Sequence, residues 1–265
     1  MSESEFVDVD GGRLFHVRDG EGPAVVLIHG APTLDHRMWA DQVAPLARSH
    51  TVVRYDLRGY GRSSLPIDPY RHCDDLASLI SGLDLDRAVL GGMSFGAAVA
   101  LDTALAHPTV ATGLILAPLA PLPGWTWIEG FPLAPALRQA GSATTRTVVD
   151  AILALPMNDA ARERPDVLAA LDEMGRSYSG WHFTNRDPGT WAAPEAVDRL
   201  GEIDVPLTRD HRRSRRPRCP HDRGSSRRQR PQRHPGGPEQ CRAQPEHGGS
   251  GVVQPSVSRL PRASR

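Results

Sequence analysis

The chain has no lysine, so all 31 of its basic residues are arginine. Cysteine is nearly as scarce: Cys73, Cys219 and Cys241 stand far apart in 265 residues. Their spacing gives neither a disulfide framework nor a metal-ligand pattern, and a reducing, cytoplasmic setting is expected. Aromatic residues make up only 5%. No uninterrupted apolar run approaches the ~20 residues a membrane span needs. The polar start Met1-Ser2-Glu3-Ser4-Glu5 has no apolar signal core behind it. The expectation is a soluble protein with no membrane partner.

The formal net charge is zero, but the charge is unevenly spread. Residues 208–265 hold 15 Arg against 4 acids, a net of +11. Residues 1–207 hold the remaining 16 Arg against 27 acids, a net of −11. The two stretches are chemically different, while a chain of 265 residues is long enough for one large α/β domain.

The most informative stretch is Gly92-Met93-Ser94-Phe95-Gly96. An apolar run, Arg87 to Gly91, precedes it, and an Ala-rich helical run, Ala97 to His107, follows. Strand, G-x-S-x-G turn and helix in that order force a serine onto a tight elbow. Side chains at Gly92 or Gly96 would collide with the neighbouring strand or helix. Ser94 Oγ then stands at the carboxyl end of the sheet, with the Phe95 N–H at the helix start facing a developing oxyanion.

The rest of residues 1–207 alternates strand and helix. Phe6–Asp10 and Leu14–Arg18 form a hairpin around Gly11-Gly12. Ala24–Ile28 is a continuous apolar strand that stops at His29-Gly30-Ala31-Pro32. There the Ala31 N–H offers a second oxyanion donor, and the His29 ring braces the loop. Arg37–Ser49 reads as a helix and Thr51–Tyr55 as a strand. The loop Asp56 to Ser63 follows, where Asp56 is expected to pair with the nearby guanidiniums of Arg58 and Arg62. Cys73–Leu83 has apolar residues at helical spacing, and Gly113–Ala117 is a further strand. The alternation predicts an α/β fold with a mostly parallel sheet and helices on both faces. From Leu122 to Pro194 the pattern is helical, notably Val148–Leu155 and Pro165–Ser177. Trp125, Trp127, Phe131, Trp181, Phe183 and Trp191 gather there, as in a lid over an apolar pocket or an ordinary small core.

Taken together, His29-Gly30, the Asp56–Ser63 loop, the Gly92–Gly96 elbow, the helical insertion and the approach Glu202-Ile203-Asp204-Val205-Pro206 resemble the α/β-hydrolase fold family. Within it they are most similar to serine esterases and lactonases such as 3-oxoadipate enol-lactonase. The resemblance implies Ser94 as nucleophile, with Ala31 and Phe95 supplying the oxyanion-hole N–H groups. It also implies acyl-enzyme chemistry on a small ester or lactone, with no metal or organic cofactor. Serine at the elbow argues against haloalkane dehalogenases, which use aspartate there. It leaves a cofactor-free haloperoxidase or a carbon–carbon bond hydrolase open. The expected organisation is a core over 1–121, a lid over 122–194, a return to the core over 195–207 and a separate tail over 208–265.

The tail departs from the family pattern, which needs a further strand, an acid, a last helix and a base histidine. From Thr208 on, only 8 of 58 residues are apolar or aromatic, beside 8 prolines and 6 glycines. Such a segment is expected to be disordered. His211, His221, His234 and His247 lie in it, but none is expected to serve as the base, and the triad acid and base are unassigned. A frameshift near Thr208–Arg209 explains the composition. Removing one base within the Arg209 codon permits a strand ending in an acid, then Gly-His-Ser-Pro, then an amphipathic helix, all in one frame. The alternatives are a flexible tail, or a retired scaffold whose basic arm binds an acidic partner; nucleic acid is not the expected partner. Lost final strands would leave an apolar sheet edge open to aggregation.

Overall fold

The computed structural model describes residues 3–119, 144–193, 196 and 198–209. The expectations for Trp125, Trp127, Phe131 and the tail beyond Arg209 lie outside the described residues. Seven strands form the main sheet: β1 (Glu3–Val9), β2 (Gly12–Asp19), β3 (Ala24–Ile28), β4 (Thr51–Tyr55), β5 (Ala88–Ser94), β6 (Ala111–Leu119) and β7 (Leu207–Arg209). Their spatial order is β1-β2-β4-β3-β5-β6-β7. β1 and β2 form the antiparallel hairpin, β2 runs antiparallel to β4, and the remaining neighbours are parallel. β7 extends two residues past the expected boundary at 207, because Leu207, Thr208 and Arg209 pair with Leu114, Ile115 and Leu116.

The continuous apolar character of β3 has a simple cause: all five residues are buried, because both faces of the strand are covered. Alternate residues face opposite ways. Val25 and Leu27, with Val52 and Val89, pack against Leu46 of α1 (Ala40–Leu46), with Trp39 and Ala47 at the margin. Val26 and Ile28, with Val53, Leu90 and Leu114, pack against the opposite layer. That layer is Leu76, Leu79 and Ile80 of α2 (His72–Gly82), with Val99 and Leu101 of α3 (Phe95–Ala106). Each such fully buried aliphatic side chain stabilises the fold by about 1.5–3 kcal/mol. α3 has ten of its twelve residues buried, which is why its sequence is apolar on every side. The helix expected over Arg37–Ser49 is split: a 3₁₀ turn, His36–Trp39, capped by the Asp35 carboxylate, precedes α1.

After β6 the described chain resumes with α4 (Thr145–Leu153) and α5 (Pro165–Ser177). The two cross closely where Gly175 meets Val149; any larger residue at 175 would strike that side chain. The pair is tied to the core through Arg37, whose guanidinium reaches Glu173 Oε1 at 2.8 Å and Ser177 Oγ at 2.5 Å. Farther on, Gly189–Thr190 pairs in parallel with Tyr70–Arg71. Trp191 packs edge-on against Phe95 at 5.5 Å between ring centroids.

Candidate active site

Ser94 ends β5 and caps α3, with φ +54° and ψ −115°. Few non-glycine residues hold a positive φ, and here the surrounding packing maintains it. A Cβ on Gly92 would run into the Gly96 carbonyl, and one on Gly96 into the carbonyls of Ile28 and His29. Both obstacles are backbone and cannot swing aside. The two glycines therefore let the start of α3 sit directly on β3, and the strand must reverse within the span of Ser94. Among the described residues no side chain hydrogen-bonds Ser94 Oγ.

β3 and β5 are parallel neighbours with Ile28 opposite Gly92. The loop after Ile28 and the elbow after Gly92 thus leave the sheet side by side. A Cβ on Gly30 would lie 2.9 Å from Met93 Cε and 3.2 Å from the Met93 carbonyl oxygen, so the loop rests on the elbow. The Gly30 N–H donates to Met38 Sδ at 3.3 Å, and Ala31, the next residue, is half-buried. His29 is fully buried. Its Nε2 accepts from the Leu57 N–H at 3.0 Å, so Nδ1 carries the proton and donates to the Gly30 carbonyl at 2.6 Å. Burial lowers its pKa against the pull of Asp56. Both ring nitrogens are committed to backbone.

Asp56 is buried below the same loops. The expected pairing with Arg58 and Arg62 is not what holds it. Its Oδ1 accepts from His36 Nδ1 at 2.7 Å and the His36 N–H at 2.9 Å, while Oδ2 accepts from the Arg62 N–H at 2.9 Å. Burial works to raise the Asp56 carboxyl, but the His36 hydrogen bond and nearby imidazoles outweigh it and hold the group below its ordinary value. The Arg58 guanidinium instead forms a buried fork with Asp75, at 2.7 and 2.9 Å, and that of Arg62 lies over the Phe15 ring. In sequence these charges are close together; in space the loop turns each guanidinium toward a different partner.

A second polar group, which no motif in the sequence marks, stands beside Phe95. The His72 ring is edge-on to Phe95 at 5.2 Å and bonds Tyr70 Oη through Nε2 at 3.0 Å. The Tyr70 hydroxyl donates to Asp187 Oδ2 at 3.3 Å. His72 Nε2 must then be the donor to Tyr70, leaving Nδ1 as a buried lone pair without a partner. Burial drives the His72 pKa down to about 3. His182 accepts from Tyr178 Oη at 2.7 Å through Nδ1 and stacks on Tyr60 at 4.6 Å. Its Nε2 lies 3.3 Å from Asp187 Oδ2, at ion-pair distance but off the line of a hydrogen bond. Burial opposes ionisation of Asp187, yet His182 and the Gly189 N–H hold its carboxyl below the ordinary range. Tyr70 and His72 lie more than a hundred residues from Asp187, so no local periodicity could have announced the group.

A surface dent of about 420 Å³ near Ala77, Asp84, Asp86 and Val110 lies at the other end of β5 from Ser94. It has no part in this arrangement.

A parallel sheet entered by a strand–serine–helix elbow, with a His-Gly loop from the neighbouring strand against it, defines a hydrolase fold class. The model of the Alpha/beta hydrolase family matches residues 25–237, and the chain belongs to that family. The match continues past 207, where the resemblance in motifs ends. Among curated relatives, the fluoroacetate dehalogenase of a Burkholderia species is 38% identical over 128 residues, covering 45% of this chain and 41% of the relative. The chain spans less than half the length of the curated relatives it matches first. Among solved structures, Est816, described as an N-acyl homoserine lactone degrading enzyme, is similar with a TM-score of 0.62. It is 28% identical, with 77% of this chain and 79% of that one covered. The enol-lactonase from Burkholderia xenovorans LB400 gives a TM-score of 0.58 at 25% identity, covering 77% and 79%.

Proposed function

We propose that this chain is a serine hydrolase acting on a small carboxylic ester or lactone. Ser94 is the nucleophile, and the N–H groups of Ala31 and Phe95 receive the oxyanion. The observation that carries the reading is the Ser94 backbone at φ +54°, held between β5 and α3 by two glycines with no room for a side chain. Such an elbow presents Oγ at the strand end and aims the first N–H of a helix at the same point. The lactone-degrading protein and the enol-lactonase, both similar in fold, support the substrate class. Helices α4 and α5 and the segment to Trp191 act as the lid.

The same proposal holds this chain to be impaired. Serine attack requires an acceptor for the hydroxyl proton, and among the described residues no imidazole hydrogen-bonds Ser94 Oγ. We attribute the missing acid and base to a shifted reading frame after about Thr208. The test is labelling by a fluorophosphonate probe, with the modified peptide identified by mass spectrometry. Slow labelling confined to Ser94 and absent from Ser94→Ala is expected; labelling at another serine would overturn the assignment.

A further inference from the structure

Away from Ser94, the start of α2 and the end of α3 bring together a thiol, a carboxylate and an imidazole. Cys73 is wholly buried in the first turn of α2, Asp74 follows it, and His107 is the cap residue ending α3. Asp74 Oδ1 lies 2.8 Å from His107 Nε2 and 3.6 Å from Cys73 Sγ. All three potential ligand atoms lie within 4.8 Å of one another. From these contacts we infer that Cys73, Asp74 and His107 form a binding site for a divalent transition-metal cation of the zinc type. The site is independent of the chemistry assigned to Ser94.

One sulfur, one nitrogen and one oxygen make a borderline-soft donor set, which suits zinc better than magnesium or calcium. With bonds of about 2.3 Å to sulfur and about 2.0 Å to nitrogen and oxygen, a tetrahedral ion holds its ligands about 3.3–3.6 Å apart. Cys73 and Asp74 already stand at that spacing, Asp74 and His107 must part by about 0.5 Å, and the third pair lies within 4.8 Å. The Asp74 carboxylate is already oriented as a ligand, because Arg71 Nε binds Oδ2 at 2.6 Å and leaves Oδ1 turned toward the sulfur and the imidazole. Side chains of His107 and Asp74 are 34% and 39% exposed, so a cation can enter from solvent and keep a water as fourth ligand. Cys73 closes the inner end. The thiolate is the form that binds a metal, so binding must release the Cys73 thiol proton.

No spacing in the sequence hints at this site, because the ligands come from two helices 33 residues apart. A similar trio, Asp35, His36 and Asp56, is less suited. The Arg37 guanidinium takes both oxygens of Asp35, and the backbone N–H groups of His36 and Arg62 take both oxygens of Asp56.

The test is titration of the 265-residue chain with Co²⁺ near neutral pH, carrying Cys219→Ser and Cys241→Ser so that Cys73 is its single thiol. One equivalent should produce a thiolate-to-cobalt charge-transfer band in the near ultraviolet with visible d–d bands, displaced by Zn²⁺. Cys73→Ser should abolish the charge-transfer band. The more exposed His107→Asn, checked for folding by circular dichroism, should weaken binding by at least about tenfold, the loss that even outer-shell changes can cause. Absence of the band from the folded chain, its survival in Cys73→Ser, or unchanged affinity in His107→Asn would overturn the site.

Discussion

Gly96 lies against the carbonyl oxygen of Ile28 so closely that no side chain fits between them. The contact presses the first turn of α3 on the end of β3. Gly96→Ala and Gly92→Ala should each destabilise the protein by about 1–3 kcal/mol, the usual cost of overpacking against atoms that cannot move. Fluorophosphonate labelling of Ser94 should fall with them. Gly201, where an added Cβ meets nothing within 4 Å, is the control: Gly201→Ala should shift stability by no more than about 0.5 kcal/mol. Urea unfolding midpoints of the three variants check both statements.

Asp56 gathers three hydrogen bonds below the site. Asp56→Ala leaves two backbone N–H groups and an imidazole without an acceptor, and should cost about 3 kcal/mol. Arg62→Ala removes no hydrogen bond to Asp56, since only its backbone takes part, and should leave the loop in place. Chemical denaturation of the pair separates backbone support from guanidinium pairing.

Acid should weaken the fold well above the carboxylate range. Buried neutral His72 titrates at about 3, against 6.5 as reference. Between those values the unfolded chain binds the extra proton. Stability is therefore full above pH 6.5 and falls as pH drops toward 3, by up to about 1.4 kcal/mol per unit for one such histidine. Burial shifts His29 and His16 in the same direction. Asp56 and Asp187, both held below 3.8, contribute stability that is lost only at lower pH. Unfolding free energies at pH 7, 6 and 5 should show this slope, and His72→Phe should flatten it.

Asp187 joins the segment after α5 to the core through Tyr70, and pairs with His182 inside that segment. Asp187→Ala should speed amide hydrogen exchange across residues 178–191 while leaving the strands β3 to β6 protected. Equal deprotection of the sheet would mean that the segment is not a separately opening unit.

The core was legible because its signals are local. The buried run of β3, the helical spacing of Leu76, Leu79 and Ile80, and the two elbow glycines each carry a steric reason inside a few residues. What escaped was long-range. Arg58 is close to Asp56 in sequence yet pairs with Asp75, because a loop of alternating polar residues does not reveal which way each side chain turns. The cluster around Asp187 and the trio around Asp74 both join segments that only tertiary packing brings together.

We propose that Ser94 stands ready on its elbow without a proton acceptor, and p-nitrophenyl acetate turnover can decide the matter. Three chains are compared: the 265-residue chain, Ser94→Ala, and a chain whose residues after Thr208 follow the shifted frame. The first should be limited to residual catalysis, about 10³–10⁴-fold over water, and the third should turn over rapidly and depend on Ser94. Rapid, Ser94-dependent turnover by the unaltered chain would contradict the proposal.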